Sequence, residues 1–417
     1  MGTTIPAGIV GLRGQVVNAV TVEAGGVVRV QCRRDARYRP LDARTGQRGR
    51  ANRWLRRRVW DVPIFGHRVA LDIEYLEIAV GARDRRVEAL DFVEAGARHT
   101  HRLAALVSGL CRHMSLSAVA QWTGLAWRTV KDMDRSHLRA TLPALHPRDL
   151  TGLRVLGVDE VARAKGHDYV TVVYDLDTGD LLWVGDGRSA DSFGAFLAEL
   201  SAETAAGIQA VAMDMGLAYQ AAVKAQLPEA VIVFDRFHVM KLYSDVIRNV
   251  RKSEFRKADA DGKEIIKGSL YLLLGNKQRL DESGIQRLNA LIQANQTLST
   301  VYTLKEQLQA LWSAPDEATM RHALNQWCDL ARATNISPLH RYAKMLESHA
   351  DGICAYARFQ LTTARIEAGN VAIGMIRKRA RGLLDQDYFK LKIRQTAIPE
   401  PPLQLFPKAR YLPHASA

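Results

Sequence analysis

Three aspartates each follow an apolar run of the kind that forms a buried β-strand. Asp159 ends RVLGVD, Asp214 ends IQAVAMD and Asp235 ends AVIVFD. Ligand-contacting groups of open α/β sheets gather at the carboxyl ends of the strands, so we expect these carboxylates near one another. Glu160 follows Asp159 directly, and its side chain should point to the opposite face of the strand. Carboxylates gathered at a buried sheet edge lose water and repel one another, so the pattern predicts a site that needs a cation.

Phosphodiester transfer is the chemistry that such a site would serve. Hard carboxylate oxygens suit Mg²⁺ or Mn²⁺, and two such ions about 3.5 to 4 Å apart activate an attacking oxygen and stabilise a leaving one. A single aspartate after a strand is usually an ordinary turn residue. The prediction therefore depends on the recurrence of the pattern at several strand ends in one basic chain.

The elements that would position these acids form an α/β segment over residues 149–258. RVLGVDEV, YVTVVYDL and DLLWVGDG have the pattern of strands, and helices then alternate with the strands IQAVAMDM and AVIVFDRFHV. A hairpin followed by alternating helices and strands predicts a mixed sheet with helices on its faces, in the strand order of the ribonuclease H-like fold. Residues 259–360 have helical periodicity throughout and predict a large all-helical insertion. Residues 361–417 would complete the catalytic domain and form a C-terminal tail.

A basic β-rich module is predicted over residues 1–97. Its strand-like stretches flank an arginine-dense segment in which Trp54 and Trp60 are interleaved with the basic side chains. This composition suits contact with the phosphates and bases of a nucleic acid, whereas the alternative is a solvated basic face. The arginines that we expect to contact DNA are Arg53, Arg56, Arg57 and Arg58.

A helix-turn-helix motif followed by a linker is predicted over residues 98–148. Residues 117–122 and 127–138 have helical spacing on either side of a turn at Gly124, with apolar positions that would pack the two helices together. Arg128, Thr129 and Lys131 would lie at the exposed start of a DNA-reading helix. Any helical hairpin gives a similar pattern, so the basic context of the chain is what favours DNA.

The composition favours a globular chain with an anionic partner. The 417 residues are 47% hydrophobic, and 58 Lys and Arg against 44 Asp and Glu give a net charge of +14 and a pI near 9.7. The sequence has neither a signal-peptide pattern nor an apolar run of about 18 residues, so we expect a cytoplasmic protein without a membrane partner. The four cysteines lack a CxxC pair and predict buried thiols rather than a disulfide framework.

Three separated segments resemble the ISL3 family of bacterial insertion-sequence transposases. They are GVDEVARAKGHDYVTVVYD, AMDMGLAYQAAVKAQLPEAVIVFDRFHVMK and RIEAGNVAIGMIRKRARG, and the resemblance spans about residues 85–395. It implies a DDE-type transposase in which Asp159 and Asp214 are the first two catalytic acids and Glu367, after the helical insertion, is the third. It also implies that these three acids hold two Mg²⁺ or Mn²⁺ ions.

Two further parts of the family pattern bear on the site. Asp235 and His238, in the DRFHV stretch, match it: Asp235 would hold or tune metal and His238 would contact the scissile phosphate, or both would be structural. The resemblance fails near the N-terminus, where related proteins usually carry paired zinc-binding cysteines, because Cys32 has no partner two or three residues further on. No zinc is therefore expected in the β-rich module.

The function implied by the resemblance is binding to the terminal inverted repeats of an insertion sequence in double-stranded DNA, followed by strand cleavage and transfer into target DNA. Two ends must be held together, so a homodimer or higher oligomer is expected, acting at the bacterial nucleoid. Basic residues after Asp235 and Glu367 would neutralise the DNA backbone or form solvated helix faces: Arg248, Arg251, Lys252, Arg377 and Arg379. A ribonuclease H-like nuclease or resolvase without strand transfer, and a non-catalytic DNA-binding protein derived from a transposase, stay open as alternatives.

Overall fold

A computed structural model describes residues 11–81, 84–143, 150–164, 168–361, 364–380 and 384–398. In these residues the chain is a mixed α/β protein with two sheets and many helices. The sequence predicts a β-rich module followed by one mixed sheet, and both sheets prove to be mixed. Most of the predicted linker, residues 144–149, and most of the predicted tail, residues 399–417, lie outside the described residues.

The first sheet is built from the N-terminal region. Its strands are β1 (Gln15–Glu23), β2 (Val27–Arg34), β3 (Arg50–Ile64), β4 (His67–Ala79) and β5 (Arg85–Val87). The order is β1-β2-β4-β3, with β5 on β4; β2 and β4 run parallel and the other neighbours antiparallel. Val30, Val59, Leu71 and Ile73 form the centre of a small core, so the arginine-rich strand β3 has one face on this core and one face in solvent.

Three helices follow: α1 (His101–His113), α2 (Leu116–Thr123) and α3 (Trp127–Thr141). Ser115 caps α2 by accepting a hydrogen bond from the backbone N–H of Ala118. Gly124 ends α2 with φ of 68°, a left-handed conformation that glycine adopts without strain. Val119 of α2 and Val130 of α3 are fully buried between the helices. The predicted helix-turn-helix is therefore confirmed.

The second sheet contains β6 (Val155–Ala164), β7 (Asp168–Asp175), β8 (Leu181–Asp186), β9 (Ala210–Met213) and β10 (Val231–Phe234). Its order is β10-β9-β6-β7-β8; β6, β7 and β8 are antiparallel, while β9 and β10 run parallel to β6. The helices after β8 are α4 (Ala190–Leu197), α5 (Ala202–Gly207), α6 (Leu217–Gln226) and α7 (Arg236–Lys257). Phe193 and Tyr219 bury α4 and α6 against one face of this sheet.

A helical region then leads away from the sheet and returns to it. Its helices are α8 (Ala260–Ile266), α9 (Leu270–Leu274), α10 (Glu282–Ala294), α11 (Gln296–Leu311), α12 (Glu317–Arg332), α13 (Ser337–Ser348) and α14 (Ala350–Phe359). It packs on α7: the Tyr243 hydroxyl donates to the Val301 carbonyl at 2.8 Å, and the Tyr342 hydroxyl donates to the Val239 carbonyl at 2.9 Å.

Two final helices complete the described chain: α15 (Ala364–Ala380) and α16 (Gln386–Thr396). Ile366 and Ile373 of α15 and Phe389 of α16 cover the face of the second sheet opposite Phe193. Helix α16 also packs against α3, so it touches both the helix-turn-helix and the second sheet. Among the described residues, no helix is both long and apolar enough to cross a membrane.

Candidate active site

The register of the second sheet aligns the three aspartates. In the parallel pairs, Gly157 of β6 lies opposite Ala212 of β9, and Phe234 of β10 lies opposite Met213 of β9. Two residues beyond the first pair, Asp159 and Asp214 are in register. One residue beyond the second pair, Asp235 and Asp214 are in register. Residues in register on neighbouring parallel strands point to the same face, so the three strands deliver their acids to one edge.

Asp159 itself does not end its strand. The prediction that β6 stops there was wrong, because β6 continues to Ala164 as the partner of β7, with Asp159 opposite Val172. The parallel strand β9, however, pairs with β6 only as far as Gly157. Asp159 therefore lies where β6 extends beyond its parallel neighbour.

The Asp159 carboxylate is held by two hydrogen bonds. Its Oδ1 accepts from the Glu160 backbone N–H at 2.8 Å, and its Oδ2 accepts from the Asn370 side-chain Nδ2 at 2.5 Å. Burial raises the pKa of Asp159 above its usual value, and the nearby charge of Asp214 raises it further, against the lowering effect of these hydrogen bonds and of His238. The carboxylate is thus shielded from solvent and lies near a like charge. A bound cation would offset both unfavourable effects on its ionised form.

Asp214 follows a strand whose four residues are all buried. Its Oδ1 accepts the Gly216 backbone N–H at 2.9 Å, so the turn after β9 fixes the direction of the carboxylate. Its charge raises the pKa of Asp159 and of Glu160. Asp159 and Asp214 therefore form one electrostatically coupled site.

Asp235 caps a helix and orients a histidine. It is buried, and its Oδ1 accepts the Phe237 backbone N–H at 2.8 Å at the start of α7. Its Oδ2 lies 3.0 Å from His238 Nδ1. The hydrogen bond with Asp235 is the main reason that the pKa of His238 is raised, and the charges of Asp159 and Asp214 add to it. These acids therefore favour the protonated form of the imidazole.

Glu160 is a further acid near the site. Its Oε1 lies 3.7 Å from Arg188 Nη1, and the Arg188 guanidinium stacks over the Tyr169 ring at 4.2 Å. Strand alternation directs Glu160 and Asp159 to opposite faces. Burial is the largest cause that raises the pKa of Glu160, followed by the charges of Asp214 and Asp159, so Glu160 belongs to the same electrostatic neighbourhood.

Glu367 lies in the first turn of α15 and is exposed. Within the described residues, no group of three or more His, Cys, Asp or Glu side chains has an arrangement that could hold a metal ion. The structure therefore brings Asp159 and Asp214 together and does not gather Glu367 with them. Three carboxylates in one pocket repel one another unless cations neutralise them. Instead, Asn370, one turn after Glu367, contacts Asp159.

The arginines of β3 form cross-strand ion pairs with acids of β4. Their partners are Glu77 for Arg53 at 3.1 Å, Glu74 for Arg56 at 2.6 Å and Asp72 for Arg58 at 2.8 Å. The Arg57 guanidinium lies 5.2 Å from the centre of the Tyr75 ring. A groove of about 430 Å³ with Arg29, Arg33, Arg56, Arg57 and Arg58 in its walls runs along this sheet. Asp72 and Glu74, which also line this groove, neutralise part of its positive charge.

The other residues predicted to contact DNA differ in their exposure to solvent and in whether they already have a partner within the protein. Arg128, Thr129 and Lys252 are exposed, Arg248 pairs with Asp245 at 2.9 Å, and Arg251 and Arg377 are half-buried. Lys131 turns back onto Asp385, with the two charged groups 2.7 Å apart. Arg379 donates to the backbone carbonyls of Met375 and Arg112. Of the two basic residues of α3 that the sequence predicts to contact DNA, Arg128 is therefore the exposed one.

Comparisons with known proteins identify relatives over most of the chain. Residues 156–393 match a family model described as "Transposase", and residues 88–138 match one described as "Helix-turn-helix domain of transposase family ISL3". The transposase for insertion sequence element IS1001 of Bordetella parapertussis is 39% identical over 342 residues, which cover 81% of this chain and 84% of the relative. The transposase for insertion sequence element IS1557 of Mycobacterium tuberculosis (strain ATCC 25618 / H37Rv) is 27% identical over 378 residues, which cover 83% and 84%.

Proposed function

The chain belongs to the ISL3 family of transposases, and we propose that it cuts and joins DNA with Asp159, Asp214 and Glu367 as its catalytic carboxylates. The observation that carries this proposal is the electrostatic coupling of Asp159 and Asp214, which lie two residues beyond the last parallel pair, Gly157 and Ala212, of neighbouring strands. The sheet, with three antiparallel strands followed by two strands parallel to the first, also supports a ribonuclease H-like fold for the catalytic domain.

The two aspartates at this edge have the oxygen chemistry that Mg²⁺ or Mn²⁺ prefers. Asp159 and Asp214 offer hard oxygen ligands, and the raised pKa of Asp159 reflects burial and a neighbouring like charge that a divalent cation would offset. These two aspartates would hold two such ions together with Glu367, which lies on α15 about one helical turn before Asn370. When bound, the ions activate the attacking oxygen and stabilise charge on the leaving oxygen of the phosphodiester.

The remaining side chains of the site would bind and orient the scissile phosphate. His238, whose protonated form is favoured by the hydrogen bond with Asp235, would donate a hydrogen bond to a non-bridging oxygen of the phosphate. The Asp235 carboxylate would hold the ring in that orientation, which gives both residues an auxiliary role. Positioning and charge neutralisation would supply the catalysis, because phosphoryl transfer needs no covalent bond to the protein.

Binding of the element ends would use the helix-turn-helix and the basic groove. Arg128 and Thr129 on α3 are exposed, which suits contact with the major groove of double-stranded DNA. The β3 residues Arg53, Arg56, Arg57 and Arg58 would contact the backbone, together with Arg248, Arg251, Lys252 and Arg377. Strand transfer joins two ends to one target, so the active form would be a homodimer or a higher oligomer.

A strand-transfer assay tests this function. Purified protein, Mg²⁺, a duplex that carries a precleaved end of the insertion sequence and a supercoiled target plasmid should give a joined product. Cleavage of DNA with no joined product would favour a nuclease or resolvase instead. Binding of the end without either reaction would favour a non-catalytic DNA-binding protein.

A further inference from the structure

Asn370 is the side chain that touches the first catalytic aspartate. Its Nδ2 donates to Asp159 Oδ2 at 2.5 Å, while the other carboxylate oxygen accepts the Glu160 backbone N–H at 2.8 Å. Both oxygens of Asp159 are thus directed, one by the backbone of its own strand and one by α15. Removal of the amide would leave Oδ2 without this donor and free the carboxylate to rotate.

Two glycines permit the close approach that this hydrogen bond requires. A Cβ atom at Gly157 of β6 would lie 2.6 Å from Ile366 Cδ1, and a Cβ at Gly369 of α15 would collide with the Tyr174 hydroxyl. Because neither glycine has a side chain, α15 packs directly on β6 and β7. An asparagine, with its short side chain, can then reach Asp159 from the helix.

The amide of Asn370 also has an unused acceptor. Its Oδ1 is buried and has no hydrogen-bond partner among the described residues. A buried polar atom without a partner is unfavourable and needs an explanation. A requirement for the other end of the amide, the Nδ2 that contacts Asp159, would explain why this oxygen is left without a partner.

We propose that Asn370 is a positioning residue of the active site. Its amide holds the Asp159 carboxylate and fixes the rotation of α15, the helix on which Glu367 lies three residues earlier. Asn370 acts through Asp159 and Glu367. This inference rests on the proposed role of those acids.

Binding of Mn²⁺ without DNA tests the proposal independently of catalysis. The free Mn²⁺ signal in electron paramagnetic resonance gives the affinity of the full chain and of the variants Asn370→Ala and Asn370→Asp. Loss of a residue that orients a metal ligand lowers affinity about 10- to 100-fold, so we expect a fall of that size for Asn370→Ala. Asn370→Asp, which keeps the size and adds a charge, should bind Mn²⁺ at least as well as the wild type and transfer strands more slowly.

The control is Val371→Ala on the outer side of the same helix, where the side chain is 68% exposed; its Mn²⁺ affinity should equal that of the wild type. An Asn370→Ala variant with unchanged Mn²⁺ affinity and strand-transfer rate would overturn the inference. If both Asn370 variants lost Mn²⁺ affinity and their melting temperatures fell in proportion, the inference would also be wrong. Asn370 would then have a structural role instead. The variant Asp159→Asn distinguishes failure of this inference from failure of the proposed function. If Asp159→Asn binds Mn²⁺ and transfers strands as the wild type does, the proposed function itself is wrong.

Discussion

The Lys392 ammonium lies 3.1 Å from the Asp134 carboxylate, and both side chains are buried between α16 and α3. Asp134 also accepts hydrogen bonds from the Tyr388 hydroxyl at 2.5 Å and the Ser108 hydroxyl at 2.6 Å. Lys392 donates in addition to the Cys111 carbonyl at 3.1 Å. Because α16 comes directly after α15 in the chain, this cluster ties the helix-turn-helix to the helix that carries Glu367.

The first prediction concerns the stability of this junction. Lys392→Met leaves the Asp134 charge buried without its cation, which should lower the free energy of unfolding by about 3 kcal/mol or more. Lys257→Met is the control, because Lys257 is 70% exposed where it pairs with Glu254, and loss of a surface pair costs less than about 1 kcal/mol. Urea unfolding followed by circular dichroism measures both variants. Equal losses would contradict a special role for the buried pair.

The second prediction separates two basic residues of α3. Arg128→Ala should weaken binding to a duplex that carries the element end and should reduce the slope of log K against log salt concentration by about 1, because one phosphate contact is lost. Lys131→Ala should leave that slope near the wild-type value, since Lys131 is already paired with Asp385. Fluorescence anisotropy at several salt concentrations gives both slopes. The same reduction for both variants would show that Lys131 leaves Asp385 to contact DNA.

The third prediction is a pH dependence that arises from His238. Its pKa is raised above 6.5 in the folded chain, chiefly by the hydrogen bond with Asp235. A group whose pKa is higher in the folded than in the unfolded chain stabilises the folded state when it is protonated. This stabilisation is complete at pH values below the unfolded-state pKa, and it is lost as the pH rises through the folded-state pKa. In metal-free buffer, the melting temperature of the wild type should therefore exceed that of His238→Gln most at about pH 5 to 6. The difference should shrink as the pH increases, and Asp235→Asn should shift this loss to lower pH.

A fourth prediction concerns the cysteines. The thiols of Cys32, Cys111, Cys328 and Cys354 are free and buried. Burial raises the pKa to about 11 for Cys32 and to about 12 for Cys111 and Cys328, and it also raises that of Cys354. Only a thiolate reacts quickly with a disulfide reagent. The native protein should therefore react slowly with such a reagent at pH 8, whereas the urea-unfolded chain should titrate four thiols. Rapid reaction of a native thiol would contradict this burial.

The sequence predicted the parts of the site that depend on local pattern. Apolar runs that end in acid located Asp159, Asp214 and Asp235, because a buried strand leaves a recognisable run of apolar residues, although only Asp214 and Asp235 directly follow the end of a strand. Glu367 lies on a helix without such a signal and was predicted from the family resemblance. Helical spacing on either side of Gly124 was sufficient to locate the helix-turn-helix.

Contacts between distant segments could not be predicted in this way. The bond from Asn370 to Asp159 depends on how closely α15 packs on β6, and the pairing of Lys131 with Asp385 depends on where α16 lies. Periodicity gives the face of a helix that is buried, but it does not identify the element that covers that face. For this reason, the sequence placed Lys131 on the DNA-reading surface, whereas in the fold it contacts the C-terminal helix.

The most direct test of the central claim is donor excision by Asp159→Asn, Asp214→Asn and Glu367→Gln. A plasmid that carries the complete element, purified protein and Mg²⁺ provide the assay, with end-binding affinity measured in parallel. Each substitution should reduce excision at least about 100-fold while end binding persists, because a metal-activated phosphoryl transfer loses several kcal/mol of transition-state stabilisation. Glu203→Gln, an exposed acid at the start of α5, should excise at the wild-type rate. Wild-type excision by any of the three active-site variants would contradict the assignment of that acid.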